Sequence, residues 1–100
     1  MENQLDKLKT IMEIIFGILI QNNVNDDNRN KLKYIFRKYE EIFYLIMNND
    51  VNNGYDLTFE LKQWKTENIN NYLFSSDEGV KLIQEISHFQ LLFMMYMREI

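Results

Sequence analysis

Apolar residues recur at alternating spacings of three and four along most of this 100-residue chain, a pattern that places them on one face of an α-helix. The chain has no proline, the residue that interrupts helices, and only three glycines. The clearest stripes are Leu5, Leu8, Met12, Ile15 and Leu19, then Leu32, Ile35, Tyr39, Ile42 and Ile46, and finally Leu82, Ile86, Phe89, Phe93 and Tyr96. We therefore expect long amphipathic helices. Phe16 and Phe43 lie beside the first two stripes and are expected to join the core.

Stretches rich in Asn and Asp divide the chain, because these side chains compete for backbone hydrogen bonds and favour turns. Helices are predicted at about residues 3–21, 27–47, 57–73 and 76–99. Residues 55–61 also alternate as a strand would, but no second strand is evident to pair with them, so helix is favoured and strand stays the alternative. Short loops join antiparallel neighbours, so the predicted fold is all-α, a small antiparallel four-helix bundle that residues 1–100 form as one domain.

Local signals predict the helix ends. Asp26 or Asp27 is suited to cap the N-terminus of the second helix. Gly54, at the end of an Asn-rich loop, is suited to a left-handed turn position. Ser75 and Glu78 have the spacing of a capping box at the start of the last helix.

The residues that most catalytic and metal sites need are scarce in this chain. It has no cysteine and a single histidine, His88, which excludes a thiolate nucleophile and a multi-histidine metal site. The three glycines form no phosphate-binding loop, and the loop that begins at Asp50 lacks the oxygen ligands of a calcium loop. We therefore expect no enzyme, no cofactor and no metal, with His88 at the surface.

The formal net charge of −4 disfavours direct nucleic-acid binding and adhesion to anionic membranes, since both depend on cationic side chains. The apolar run at residues 11–20 is about half the length of a membrane span and lacks the features of an export signal. We expect a cytoplasmic protein that makes no membrane contact.

One basic patch interrupts the acidic composition. Lys33 and Arg37 share the outer face of the second helix with Tyr44, and cations interleaved with aromatic rings can bind single-stranded nucleic acid. Glu41 follows Arg37 at the spacing of a helical ion pair, which favours an ordinary solvated face. Lys33, Arg37 and Tyr44 are a secondary candidate surface, for an acidic protein or a nucleic acid.

The last helix is apolar nearly all round, which predicts an interface. Leu91, Met94 and Met95 lie outside its main stripe, and one stripe is what a helix in a four-helix bundle buries. We expect these three residues to form a homodimer contact or the surface for another protein. The alternative is a central helix that contacts three others.

Size and composition favour a non-enzymatic protein-binding regulator. Residues with AT-rich codons make up more than half of the chain and alanine is absent, which indicates an AT-rich genome such as that of a low-GC bacterium, its phage or a plasmid. The leading hypothesis is an inhibitor of a host enzyme, an effector complex or a defence system, in the manner of an anti-CRISPR protein. Such an inhibitor can bind through an acidic surface that mimics nucleic acid or through an apolar surface. The alternative is an immunity protein or antitoxin that neutralises a toxin, or a self-associating structural bundle.

Overall fold

The computed structural model describes residues 1–21 and 23–99, and within them the chain forms four α-helices and one turn of 3-10 helix. The helices are α1 (Glu2–Leu19), α2 (Asp26–Met47), α3 (Val51–Asn68) and α4 (Asp77–Glu99), with the 3-10 turn at Tyr72–Ser75. α1 and α3 each pack against both α2 and α4, so the helices form a closed ring in chain order. The predicted all-α four-helix bundle is confirmed.

The core lies along the axis of this ring, and every helix contributes to it. The fully buried side chains include Ile11, Ile15, Leu32, Ile35, Tyr39, Ile42, Leu61, Leu82, Ile86, Phe89 and Phe93. The rings of Tyr39 and Phe93 each meet Phe89 edge to face, at centroid distances of 5.7 and 5.9 Å. The predicted stripes of α2 and α4 are buried from Leu32 to Ile46 and from Leu82 to Phe93.

The buried face of α1 differs from the predicted stripe. Ile11 and Ile18 are buried, whereas Leu5, Met12 and Leu19 are only half-buried at one edge of the core. The spacing locates the apolar arc of a helix but does not identify the part of that arc that meets its neighbours. The other part of the arc on α1 is left at the surface.

The turn between α2 and α3 is shorter than the sequence predicted. Asn49 has a φ of 60° and takes the left-handed position that ends α2. The backbone N–H of Asn49 donates to the carbonyl of Ile46 at 3.1 Å, and that of Asp50 donates to Leu45 at 2.8 Å. These two bonds form a Schellman motif, in which asparagine here replaces the usual glycine.

The predicted start of the third helix at residue 57 is therefore wrong, because α3 begins at Val51. Gly54 is not in a left-handed turn. It is buried inside α3, where an added Cβ would lie 3.4 Å from Cζ of Phe93. The strand alternative for residues 55–61 is excluded, since they are helical. α3 ends at Asn68, five residues before the predicted end at residue 73.

The N-terminal cap of α2 is Asn25, not Asp26 or Asp27. The side-chain oxygen of Asn25 accepts the backbone N–H of Asn28 at 2.8 Å, while both aspartates lie in the first turn. There they still stabilise the helix, since their negative charge offsets the partial positive charge of its N-terminus.

The N-terminal cap of α4 also differs from the prediction, here by one residue toward the C-terminus. Oγ of Ser76, not Ser75, accepts the backbone N–H of Gly79 at 3.1 Å, and Glu78 lies in the first turn. The shift by one residue follows from the 3-10 turn, which extends to Ser75 and places Ser76 in the extended conformation that a cap requires.

Candidate functional site

An apolar groove of about 790 Å³, open to solvent, lies between α1 and α2. Its apolar walls are Leu5, Leu8, Met12, Phe16 and Gly17 from α1, and Phe36, Phe43 and Tyr44 from α2. Four charged residues, Asp6, Lys9, Glu13 and Glu40, complete its lining. We call this feature the α1–α2 groove. On the α1 side it is formed mainly by the part of the apolar arc that lies outside the core, together with Leu8 of the core.

Three aromatic side chains in the α1–α2 groove contact water. Phe16 is 59% exposed, Tyr44 is 62% exposed and Phe43 is 38% exposed. Because α1 and α2 run antiparallel, Phe16 lies toward one end of the groove and Phe43 and Tyr44 toward the other. Full burial of such side chains is worth about 1.5–3 kcal/mol each, so an occupant of the groove would recover energy that this fold leaves unused.

The expectation that Phe16 and Phe43 belong to the core is therefore wrong. At about 100° per residue, Phe16 lies about 120° from the centre of the buried face of α1, and Phe43 about 60° from that of α2. Both are displaced toward the shared side of the two helices. The sequence carries a signal for this displacement, since the apolar arc of α1 is wider than one stripe.

Gly17 leaves the groove open at the end where Phe16 lies. Apart from its two chain neighbours and the nearby backbone of its own helix, a Cβ added to Gly17 would have no atom of the described residues within 4 Å. Glycine in a helix interior costs about 0.8–1.0 kcal/mol relative to alanine. Nothing in the described part of the fold requires a glycine at this position.

The charges of the groove are predominantly acidic. Asp6 and Glu13 lie two turns apart on the exposed side of α1, and Glu40 stands on α2. Among residues 1–21 and 23–99, Lys9 is the one cation that lines the groove. The groove therefore combines an apolar floor with a rim of net negative charge, in agreement with the overall charge of −4.

The predicted interface on α4 is only partly exposed. Leu91 and Met95, one turn apart, are 45% and 50% exposed. Met94 is half-buried, and its sulfur lies 4.0 Å from the guanidinium of Arg98. Two apolar side chains on a helix face are a smaller surface than the α1–α2 groove.

The predicted basic surface on α2 borders two depressions. Lys33 and Arg37 line a shallow depression that also includes Lys38 and Glu41, whereas Tyr44 lines the α1–α2 groove. The expected ion pair of Arg37 with Glu41 is not formed, since Glu41 lies 3.9 Å from Nζ of Lys38 instead. All three side chains are exposed on one face of α2, and their role as a binding surface stays a prediction.

Lys38 is held by acidic and aromatic neighbours on this side of α2. Its ammonium lies 3.5 Å from Glu60 and 5.5 Å from the ring centre of Tyr34. The hydroxyl of Tyr34 donates to Glu60 at 2.7 Å, and this hydrogen bond raises the pKa of Tyr34. The contacts connect α2 to α3 and neutralise part of the basic patch.

His88 is exposed on α4, at the surface as expected. Among residues 1–21 and 23–99, no group of three or more His, Cys, Asp or Glu side chains is placed to hold a metal ion. None of the helices in these residues combines the length and the apolar character that crossing a bilayer requires.

Comparison of the chain with protein-family models, with curated proteins and with solved structures gave no significant match.

Proposed function

We propose that this protein is a non-enzymatic regulator that binds a partner protein through the α1–α2 groove. The observation that carries the proposal is the set of exposed aromatic side chains around an apolar floor, led by Phe16 and Tyr44. Contiguous apolar surface of this kind marks interaction sites on proteins, and aromatic residues are the usual anchors of protein interfaces. Burial of these side chains by a partner would supply binding energy without any catalytic group.

The acidic rim supports a partner with a basic surface. Enzymes that process nucleic acids carry such surfaces, because they neutralise phosphate with Lys and Arg. We therefore propose an inhibitor that occupies the basic surface of a host enzyme or defence effector, encoded by a phage or plasmid with an AT-rich genome. Neutralisation of a basic toxin by an immunity protein would use the same surface chemistry.

A second candidate function, self-association through α4, is favoured by the exposure of Leu91 and Met95. A two-fold dimer would place this face against its own copy and cover both side chains. Sedimentation of the wild type and of the Leu91→Glu/Met95→Glu variant tests it. Dissociation of a wild-type dimer by the double substitution supports this candidate, and a wild-type monomer at high concentration excludes it.

The experiment for the leading proposal compares three tagged forms of the protein as baits in lysate from a low-GC bacterium. They are the wild type, Gly17→Leu, which fills the groove, and Phe59→Ser, which alters an exposed phenylalanine on α3. A partner retained by the wild type and Phe59→Ser but lost by Gly17→Leu supports the groove. Equal retention by all three forms contradicts it.

The mode of action is then measured with the purified partner. A binding regulator changes the activity of its partner only when the two are present in about equal amounts, and the partner recovers when the complex dissociates. A lasting change in the partner at a molar ratio far below one protein per partner would indicate an enzyme and overturn the proposal.

A further inference from the structure

We infer that the occupant of the α1–α2 groove is a cationic amphipathic α-helix of about three turns. The inference rests on the proposed function of this site and adds the chemical class of the segment that the partner supplies. Three independent properties of the groove lead to it, namely its length, the empty space above Gly17 and the sign of its charges.

The length of the groove matches a short helix. Its lining on α1 extends from Leu5 to Gly17, which at a rise of about 1.5 Å per residue spans about 18 Å, or roughly three turns. A small ligand is usually buried over most of its surface, whereas this groove is open to solvent along one side. A helix laid in a groove buries one apolar face and leaves the opposite face in water.

The space above Gly17 accommodates an apolar side chain of the occupant. An occupant helix presents anchors at spacings of three and four residues, and one anchor can approach the backbone of α1 only where no Cβ projects. Gly17 provides that opening beside Phe16. Met12 and Phe43 provide apolar contact farther along the groove.

The charges of the rim determine which helix is preferred. Asp6, Glu13 and Glu40 outnumber Lys9 in the lining, so Lys and Arg on the flanks of an occupant would be attracted. In a two-fold dimer through this groove, the same acidic residues would face their own copies and repel. The charge pattern thus favours a basic partner over a second copy of this chain.

The test uses three synthetic peptides of about fifteen residues, long enough to form a helix when bound. The first has leucines on one face and lysines on the other, the second replaces the lysines with glutamates, and the third has the composition of the first in an order without an apolar face. Binding is measured by fluorescence anisotropy. We expect the lysine helix to bind at least about tenfold more tightly than either of the others, and added salt to weaken it.

The site is assigned with four variants whose fold is checked by circular dichroism and urea unfolding. Gly17→Leu and Phe16→Ser are expected to weaken the lysine helix by about tenfold or more, and Phe59→Ser is the matched control that leaves binding unchanged. The charge reversal Glu13→Lys/Glu40→Lys is expected to weaken the lysine helix and to strengthen the glutamate helix.

The outcomes separate this inference from the proposed function. Binding of the lysine helix that is unaffected by Gly17→Leu and Phe16→Ser would overturn the inference, as would equal binding of all three peptides. If no peptide binds while a lysate partner is still lost with Gly17→Leu, the groove binds a partner but its occupant is not a cationic helix. Self-association that Gly17→Leu abolishes would identify a second copy as the occupant and also overturn the inference.

Discussion

Two regions of this bundle, the start of α4 and the face shared by α1 and α2, differ in how closely the chain packs. At the start of α4, a Cβ on Gly79 would lie 2.7 Å from Cα of Phe74 and would also collide with the carbonyl oxygen of Leu73. On the α1–α2 face, the same addition at Gly17 would meet nothing within 4 Å. A chain that packs to backbone contact in one region is not loosely packed in general. The open groove is therefore a local property of α1 and α2.

The largest effect is expected for a phenylalanine in the core. Phe89 is 1% exposed and contacts both Tyr39 and Phe93, so Phe89→Ala should lower the free energy of unfolding by about 3–5 kcal/mol. Phe43→Ala in the groove is the matched variant and should cost about 1–2 kcal/mol, because that ring is already part-exposed. Urea unfolding measures both, and equal losses would show that the groove belongs to the core.

A comparably strong effect is expected at the start of α4. Gly79→Ala should cost about 2–3 kcal/mol, the upper part of the range for overpacking, because the new methyl group would displace the backbone of the 3-10 turn. Gly54→Ala should cost less, since its nearest neighbour is the ring of Phe93 at 3.4 Å. Thermal unfolding of the two variants measures the difference, and a Gly79→Ala protein as stable as the wild type would contradict the close packing.

We expect the protein to lose stability in alkaline solution because of one core residue, Tyr39. Tyr39 is fully buried, and burial raises the pKa of its hydroxyl far above the usual value of 10. Above pH 10 the unfolded chain loses a proton that the folded chain keeps, so this contribution to stability falls by up to about 1.4 kcal/mol per pH unit. Below pH 10 the Tyr39 hydroxyl is protonated in both the folded and the unfolded chain, so its contribution to stability is fully present.

Tyr39→Phe removes this contribution to the pH dependence. Since the Tyr39 hydroxyl has no hydrogen-bond partner among the described residues, the variant should be at least as stable as the wild type at pH 7. Urea unfolding between pH 8 and about 11 compares the two proteins. Parallel curves above pH 10 would show that Tyr39 ionises without unfolding.

The smallest effect, and the one of opposite sign, is expected in the groove. Gly17→Ala should stabilise the protein by about 0.5–1 kcal/mol, because alanine loses less conformational entropy than glycine when the helix forms. The added methyl group would also not collide with a neighbouring residue. Thermal unfolding of Gly17→Ala and Gly54→Ala compares the change in stability at the two positions. A destabilised Gly17→Ala protein would mean that the groove is closed in solution.

The stripes of α2 and α4 were predictable from the sequence because the spacing of three and four continues without a break from Leu32 to Ile46 and from Leu82 to Phe93. The Schellman turn at Asn49 was missed, since asparagine takes the left-handed position less often than glycine and a glycine, Gly54, stood nearby. The groove was missed because spacing reports that Phe16 is on an apolar arc, whereas exposure depends on how far α2 covers that arc.

The location of the binding surface is tested most directly by an NMR titration of the labelled protein with the lysine-faced helix. The backbone amides of the three glycines report on three regions at once, with Gly17 in the groove, Gly54 against Phe93 and Gly79 against the 3-10 turn. Binding in the α1–α2 groove should shift the signals of Phe16 and Gly17 and leave those of Gly54 and Gly79 in place. Shifts at Gly54 or Gly79 without a shift at Gly17 would place the binding surface elsewhere and contradict the assignment.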